Sequence, residues 1–216
     1  RLLTVPHGPE ENVFHQGERF IRTGRLRAPS SCASGDVDCL DEITDADFVE
    51  YRSPVDQTDL AQRETVELTL PVDAGNAHGL VVTARNSLVN TFVFYQLLRW
   101  LGSHTGEVMA SVERGEIDIA PFTGAFEERF GGIDVEVRDA TGEWIDAGTF
   151  HEIGPIARVT QIVSIPEGVS VEEELDVRLT MAQGYWKIDR VASTVVQGDA
   201  EPAYHEPIEV ESDRHG

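Results

Sequence analysis

The 216-residue chain carries 39 acidic residues against 17 basic ones, a formal charge of −22 at neutral pH, and 40% of its residues are hydrophobic. That charge argues against binding to a phosphate backbone and against peripheral attachment to an anionic membrane, because both partners share the sign of the surface. The apolar content, with nine Phe, excludes a disordered chain and is enough for one good-sized core.

Residues 1–63 begin without a sustained period, and the sequence predicts an irregular segment with short strands near 12–14 and 19–26. Positions 29–46 read as a Ser/Gly/Asp-rich loop and hold the densest acidic patch. Two cysteines flank its first half, Cys32 and Cys39, with six residues between them. A small disulfide is sterically possible and would suggest an oxidising compartment, while two cysteines are too few for a metal framework. From Glu64 the pattern sharpens: Val66, Leu68 and Leu70 alternate with Glu67 and Thr69 before Pro71, a half-buried strand. Residues 79–85 form a continuous apolar run and predict a strand buried on both faces.

Over 86–101 the period changes to three and four, with Asn86 or Ser87 as cap and Gly102 as stop. The run is apolar nearly all round and shorter than the ~20 residues that a membrane span needs, so it reads as a buried core helix. A second, more exposed helix follows over 105–114, and 122–130 reads as a short helix or an irregular crossing. Residues 133–138 and 143–150 predict a hairpin about Ala140-Thr141-Gly142, and 157–165 a further strand. Residues 174–196 predict a closing hairpin turning at Gln183-Gly184, with Trp186, Ile188 and Arg190 on one face of its second strand and Tyr185, Lys187, Asp189 and Val191 on the other. The last stretch, 198–216, reads as an extended tail. The expected fold is mainly β: a two-sheet sandwich of jelly-roll type spanning 1–197 as one domain, with an α-helical insertion at about 87–114.

Three segments carry a resemblance: GLVVTARNSLVN at 79–90, the hairpin over 142–154, and GYWKIDRVA at 184–192. They resemble galactose-binding-like jelly rolls, the fold of discoidin-type and many carbohydrate-binding modules. They are also similar to a C-terminal module of large bacterial secreted or lipoprotein-like chains. The resemblance implies a non-catalytic binding domain, and the helical insertion departs from a minimal jelly roll.

Among candidate sites, the carboxylates of Asp36, Asp38, Asp41 and Glu42 have the loop spacing that supplies oxygen ligands to Ca²⁺, although the pattern is not an EF-hand loop. A solvated acidic loop is the competing reading. Trp144 and Tyr185 are the candidate ligand contacts, as aromatic rings able to stack on a sugar; core packing competes for both. The seven His show no metal-ligand spacing, and G-x-S-x-G is absent, so no catalytic residue is nominated. Lys187 is the only lysine beside sixteen arginines, which fits either a salt-adapted source or an Arg-rich codon bias. The chain starts at Arg1 without a signal peptide, consistent with an export signal already removed. The expected function is a carbohydrate- or protein-binding module of an exported or envelope-associated protein. The alternatives are an assembly domain that uses its apolar helix as an interface, and a hydrolase whose site the sequence does not mark.

Overall fold

The structure is a computed structural model and describes residues 2–118, 120–151, 157–169 and 173–206. Its strands fall where apolar residues alternate. The N-terminal third supplies β1 (Leu2–Thr4), β2 (Asn12–Gln16), β3 (Arg19–Thr23), β4 (Ser31–Ser34), β5 (Val37–Asp38) and the single turn of α1 (Leu40–Ile43). Then come β6 (Arg63–Pro71), β7 (His78–Asn86) and the inserted helices α2 (Leu88–Leu101), α3 (Thr105–Glu113) and α4 (Ala120–Phe130). The chain closes with β8 (Ile133–Arg138), β9 (Trp144–Phe150), β10 (Val159–Ser164), β11 (Glu174–Ala182), β12 (Trp186–Asp199) and β13 (Ala203–His205).

Two antiparallel sheets form the sandwich. One has the order β10-β7-β12-β3-β2, the other β5-β4-β6-β11-β8-β9, and β1 pairs with β13 apart from both. Period-2 burial explains the core: Val66, Leu68 and Leu70 of β6, Leu175 to Met181 of β11 and Ile133, Val135 and Val137 of β8 face Leu80, Val82 and Ala84 of β7 and Trp186 and Ile188 of β12. Each such buried aliphatic side chain contributes about 1.5–3 kcal/mol. β7 is buried along nearly its whole length, as its unbroken apolar run predicts. The second face of β7 is covered because the five-stranded sheet curls: Ser164 at one edge donates to Gln16 Oε1 at the other, 3.0 Å away. Ile21, Val81 and Ile162 form a small second core inside that curl. The segment expected to be irregular thus lends β2 and β3 to one sheet and β4 and β5 to the other.

Residues 174–196 are not a hairpin. β11 belongs to the six-stranded sheet and β12 to the five-stranded one, so the chain crosses between sheets at Gln183 to Tyr185. Gly184 sits there at φ 71°, and a Cβ on it would meet Val55 Cγ2 at 2.6 Å, so the crossing needs glycine. Alternation reports which face is buried and not which strand is the neighbour, and both strands turn apolar faces to one core. The face assignment on β12 also changes. The register against β7 shifts between Ile188 and Arg190, which sets Val191 in the main core with Trp186 and Ile188.

The stretch read as a loop over 29–46 is instead an edge hairpin, β4–β5, followed by α1, closed by a disulfide between Cys32 and Cys39. The expected tail is partly structured: β12 runs to Asp199 and β13 pairs with β1, while 207–216 lie outside the described residues.

Candidate interaction site on the helical insertion

Both feet of the insertion stand on the start of β12. At the outgoing foot, Ser87 N–H donates to Tyr185 C=O (2.8 Å) and Ser87 Oγ donates to Gly184 C=O (2.7 Å). The same Oγ accepts from Val89 N–H, which caps α2 as the sequence predicts. At the returning foot, Trp186 Nε1 donates to Gly131 C=O (3.1 Å). Gly132 lies so close to β9 that a Cβ there would meet Phe150 C=O oxygen at 2.3 Å. Phe130 stacks on Tyr185 with ring centroids 5.8 Å apart, and Phe126 on Phe130 at 5.1 Å, which ties the end of α4 to the core.

Between these feet α2 leaves the sandwich. The expectation of a buried core helix is corrected: its one buried residue is Asn90, and only Val89 packs on the main core. Beyond its first turn the helix rests on α3 and the short turn Gly102–His104. Its half-buried side is Val93, Leu97 and Leu101, and its outward side is Leu88, Phe92, Tyr95 and Arg99. The outward residues recur at four, three and four, the spacing of a helix–helix seam. Phe92 is 51% exposed, Tyr95 62% and Leu88 70%, with Trp100 at 83% beside the stripe. The apolar, all-round composition is the signal for this. A helix with two apolar sides needs two neighbours, and beyond its first turn the chain provides one, α3 with the turn before it.

The residues singled out from sequence fall elsewhere. Tyr185 is 2% exposed, between Phe130 and Trp186, so it anchors the insertion and its ring is closed to a ligand. Trp144 is half-buried on β9, and the guanidinium groups of Arg138 and Arg178 lie 4.6 and 4.1 Å from its ring centre. Asp36 lies between β4 and β5, Asp38 accepts from Leu40 N–H at 3.0 Å, and Asp41 and Glu42 occupy the first turn of α1. That spreads the four carboxylates over a hairpin and a helical turn. Among the described residues no three His, Cys, Asp or Glu side chains gather as metal ligands would.

One charged cluster escaped the sequence reading, because its members are far apart in the chain. Glu50, 7% exposed at its side chain, accepts from Arg85 Nε (2.5 Å) and Nη2 (2.7 Å), with Lys187 Nζ at 3.8 Å. Those hydrogen bonds from Arg85 hold the Glu50 carboxyl below its ordinary value, against burial, which pushes it up. Beside it, fully buried Asp189 pairs with Arg158 and accepts from Phe48 N–H at 2.8 Å. Arg158 lies 3.9 Å over the Phe48 ring. A cleft of about 470 Å³ opens nearby, at the root of α2, lined in part by Arg52, Val55, Ser87 and Lys187. Of its cations, Lys187 lies beside Glu50 and Arg52 faces solvent. Of its hydroxyls, Ser53 donates to Glu64 Oε1 (2.6 Å) while accepting from Gly184 N–H (2.8 Å), and Ser87 is held by the backbone of Gly184 and Val89.

No family model and no curated protein matches the chain. Among solved structures, one similar chain is a carbohydrate-binding module described as "CBM4 structure and function". It is 10% identical, with 73% of this chain and 87% of that chain covered and a TM-score of 0.26. The sandwich architecture rests on the strand order itself.

Proposed function

We propose that the chain is a non-catalytic binding module whose sandwich serves as a scaffold and whose working surface is the helical insertion, presented to another protein. The observation that carries this reading is the outward stripe of α2, an apolar face on an otherwise acidic chain. Four rings of α2 are exposed, Phe92 and Tyr95 on the stripe with Phe94 and Trp100 on the two flanks, and together they leave roughly 500 Å² open at about 200 Å² per ring. Exposed apolar surface of this extent on one element marks an interaction site. The absence of a membrane-type polar face supports a protein over a lipid surface: interfacial helices carry several Lys and Arg, and here the only charged side chains from Leu88 to Ala110 are Arg99 and Glu107.

A photo-crosslinking experiment tests it. A benzophenone side chain replacing Tyr95 in the full chain, expressed in cells, is expected to give protein adducts. The same group replacing Glu143, in the exposed β8–β9 turn, is expected to give few. Equal labelling from both positions would sink the reading. A second reading, glycan binding, is favoured by one observation: Trp144 is only half-buried and stands on an edge strand, beside Arg138 and Arg178. Retention on immobilised glycans that Trp144→Ala abolishes would establish it in place of the first.

A further inference from the structure

The stripe on α2 also carries information about what covers it. Its members stand at 88, 92, 95 and 99, a pattern that reads the same from either end, so it is self-complementary about a twofold axis between Phe92 and Tyr95. We infer that the occupant of this face is a second copy of the chain, docked α2 against α2 in antiparallel orientation; the inference rests on the proposal that the insertion is a protein-binding surface. In that arrangement Phe92 meets the partner's Tyr95, and the aliphatic stem of Arg99 lies over the partner's Leu88. A parallel pair would instead set two Arg99 guanidinium groups side by side.

Charge selects this face for self-association. Two copies of a chain with net charge −22 repel wherever their acidic surfaces meet. From Leu88 to Ala110 the formal charges cancel, Arg99 against Glu107, so this is a surface on which two copies approach without adding like charges. Area makes the contact a small one. The two rings on this face, Phe92 and Tyr95, hold open roughly 230 Å² at about 200 Å² per ring, less than a third of the ~800 Å² that each partner contributes to a standard interface, with Leu88, 70% exposed, adding to it. A twofold pairing also gives the helix the second neighbour that its composition demands.

Sedimentation equilibrium of the purified full chain, at low and at molar KCl, tests the inference. The expected mass is twice 23.8 kDa, favoured at molar salt. Phe92→Glu with Tyr95→Glu is expected to halve the mass while circular dichroism and the melting temperature of the isolated subunit stay unchanged, and Phe92→Leu is expected to keep the dimer. Amide exchange in 88–101 is expected to slow as protein concentration rises, with exchange in β12 unaffected. A monomer at both salts overturns the inference, as does a dimer that survives the double substitution, or a monomer that binds phosphatidylcholine vesicles through α2. A monomer that still yields heavier adducts from position 95 in cells removes the second copy and leaves the protein-binding reading standing. A monomer without such adducts removes both.

Discussion

Glu50 is a residue whose titration is coupled to the fold. Its carboxylate is nearly enclosed, takes two hydrogen bonds from Arg85 and has the chain's only lysine close by. Because the folded group titrates below its ordinary value of 4.5, the folded state binds fewer protons than the unfolded state in the window beneath that value. The stabilisation is therefore complete above pH 4.5 and is lost as pH falls through the depressed value. Glu50→Gln is expected to cost about 1–2 kcal/mol at neutral pH, because Arg85 keeps a weaker, neutral acceptor. It should also flatten the acid limb of the stability curve, measured by urea unfolding from neutral pH downward. An acid limb identical to that of the parent chain would remove Glu50 from this role. Phe48, two residues earlier, is the one non-glycine residue at positive φ among those described, 72°. A conformation of this kind costs about 1–2 kcal/mol, offset here by the bond to buried Asp189 and by the Arg158 stack. The sequence allows Asp189 a structural part as an ion pair or backbone anchor, which it plays, but its partners could not be named beforehand, since they come from positions 48–50, 85, 158 and 187–189 and only the fold brings them together.

At the scale of elements, the disulfide joining β4 to the start of α1 is the clearest determinant of local order. Cys32 and Cys39 are both buried, with Cα atoms 5.2 Å apart, and they close a ring that sets Ile43 into the core. For so short a ring, loss of the crosslink frees unfolded-chain entropy worth about 2.5 kcal/mol. Reduction is expected to lower stability by that amount and to accelerate amide exchange over 31–43 while β6 and β11 stay protected. Uniform acceleration across the sandwich would contradict a local role. The sequence made strands and caps readable where one face of an element was buried: β6, β7, the β8–β9 hairpin, and α2 with its Ser87 cap and Gly102 stop. Pairing was not readable, because β11 and β12 feed one core from opposite sheets and alternation is blind to that. The outward face of α2 was missed for a related reason. Apolar residues all round a helix say that it wants neighbours on every side, and only the three-dimensional arrangement says how many the chain supplies.

For the whole molecule, charge is the dominant long-range fact. Between Asp36 and Asp47 six carboxylates occur without one basic residue, and the net charge of −22 spreads repulsion over the entire surface. Folding concentrates those charges, so the folded state pays more repulsion than the unfolded chain wherever screening is weak. Salt shortens the screening length from about 10 Å at 0.1 M to about 3 Å at 1 M, which removes most repulsion between exposed carboxylates and leaves the enclosed Glu50–Arg85 pair almost untouched. The melting temperature is therefore expected to rise by on the order of 5 °C between about 0.1 M and 2 M KCl, equivalent to roughly 2 kcal/mol for a chain of this length. Replacing Asp36, Asp38, Asp41 and Glu42 by their amides should reduce that slope, because it removes repulsion where the charge is densest. The two arms separate causes. An identical slope in the amide variant would show that the repulsion relieved by salt is not concentrated at 36–42, and a chain that melts at the same temperature at both salts would show that the acidic surface costs the fold nothing.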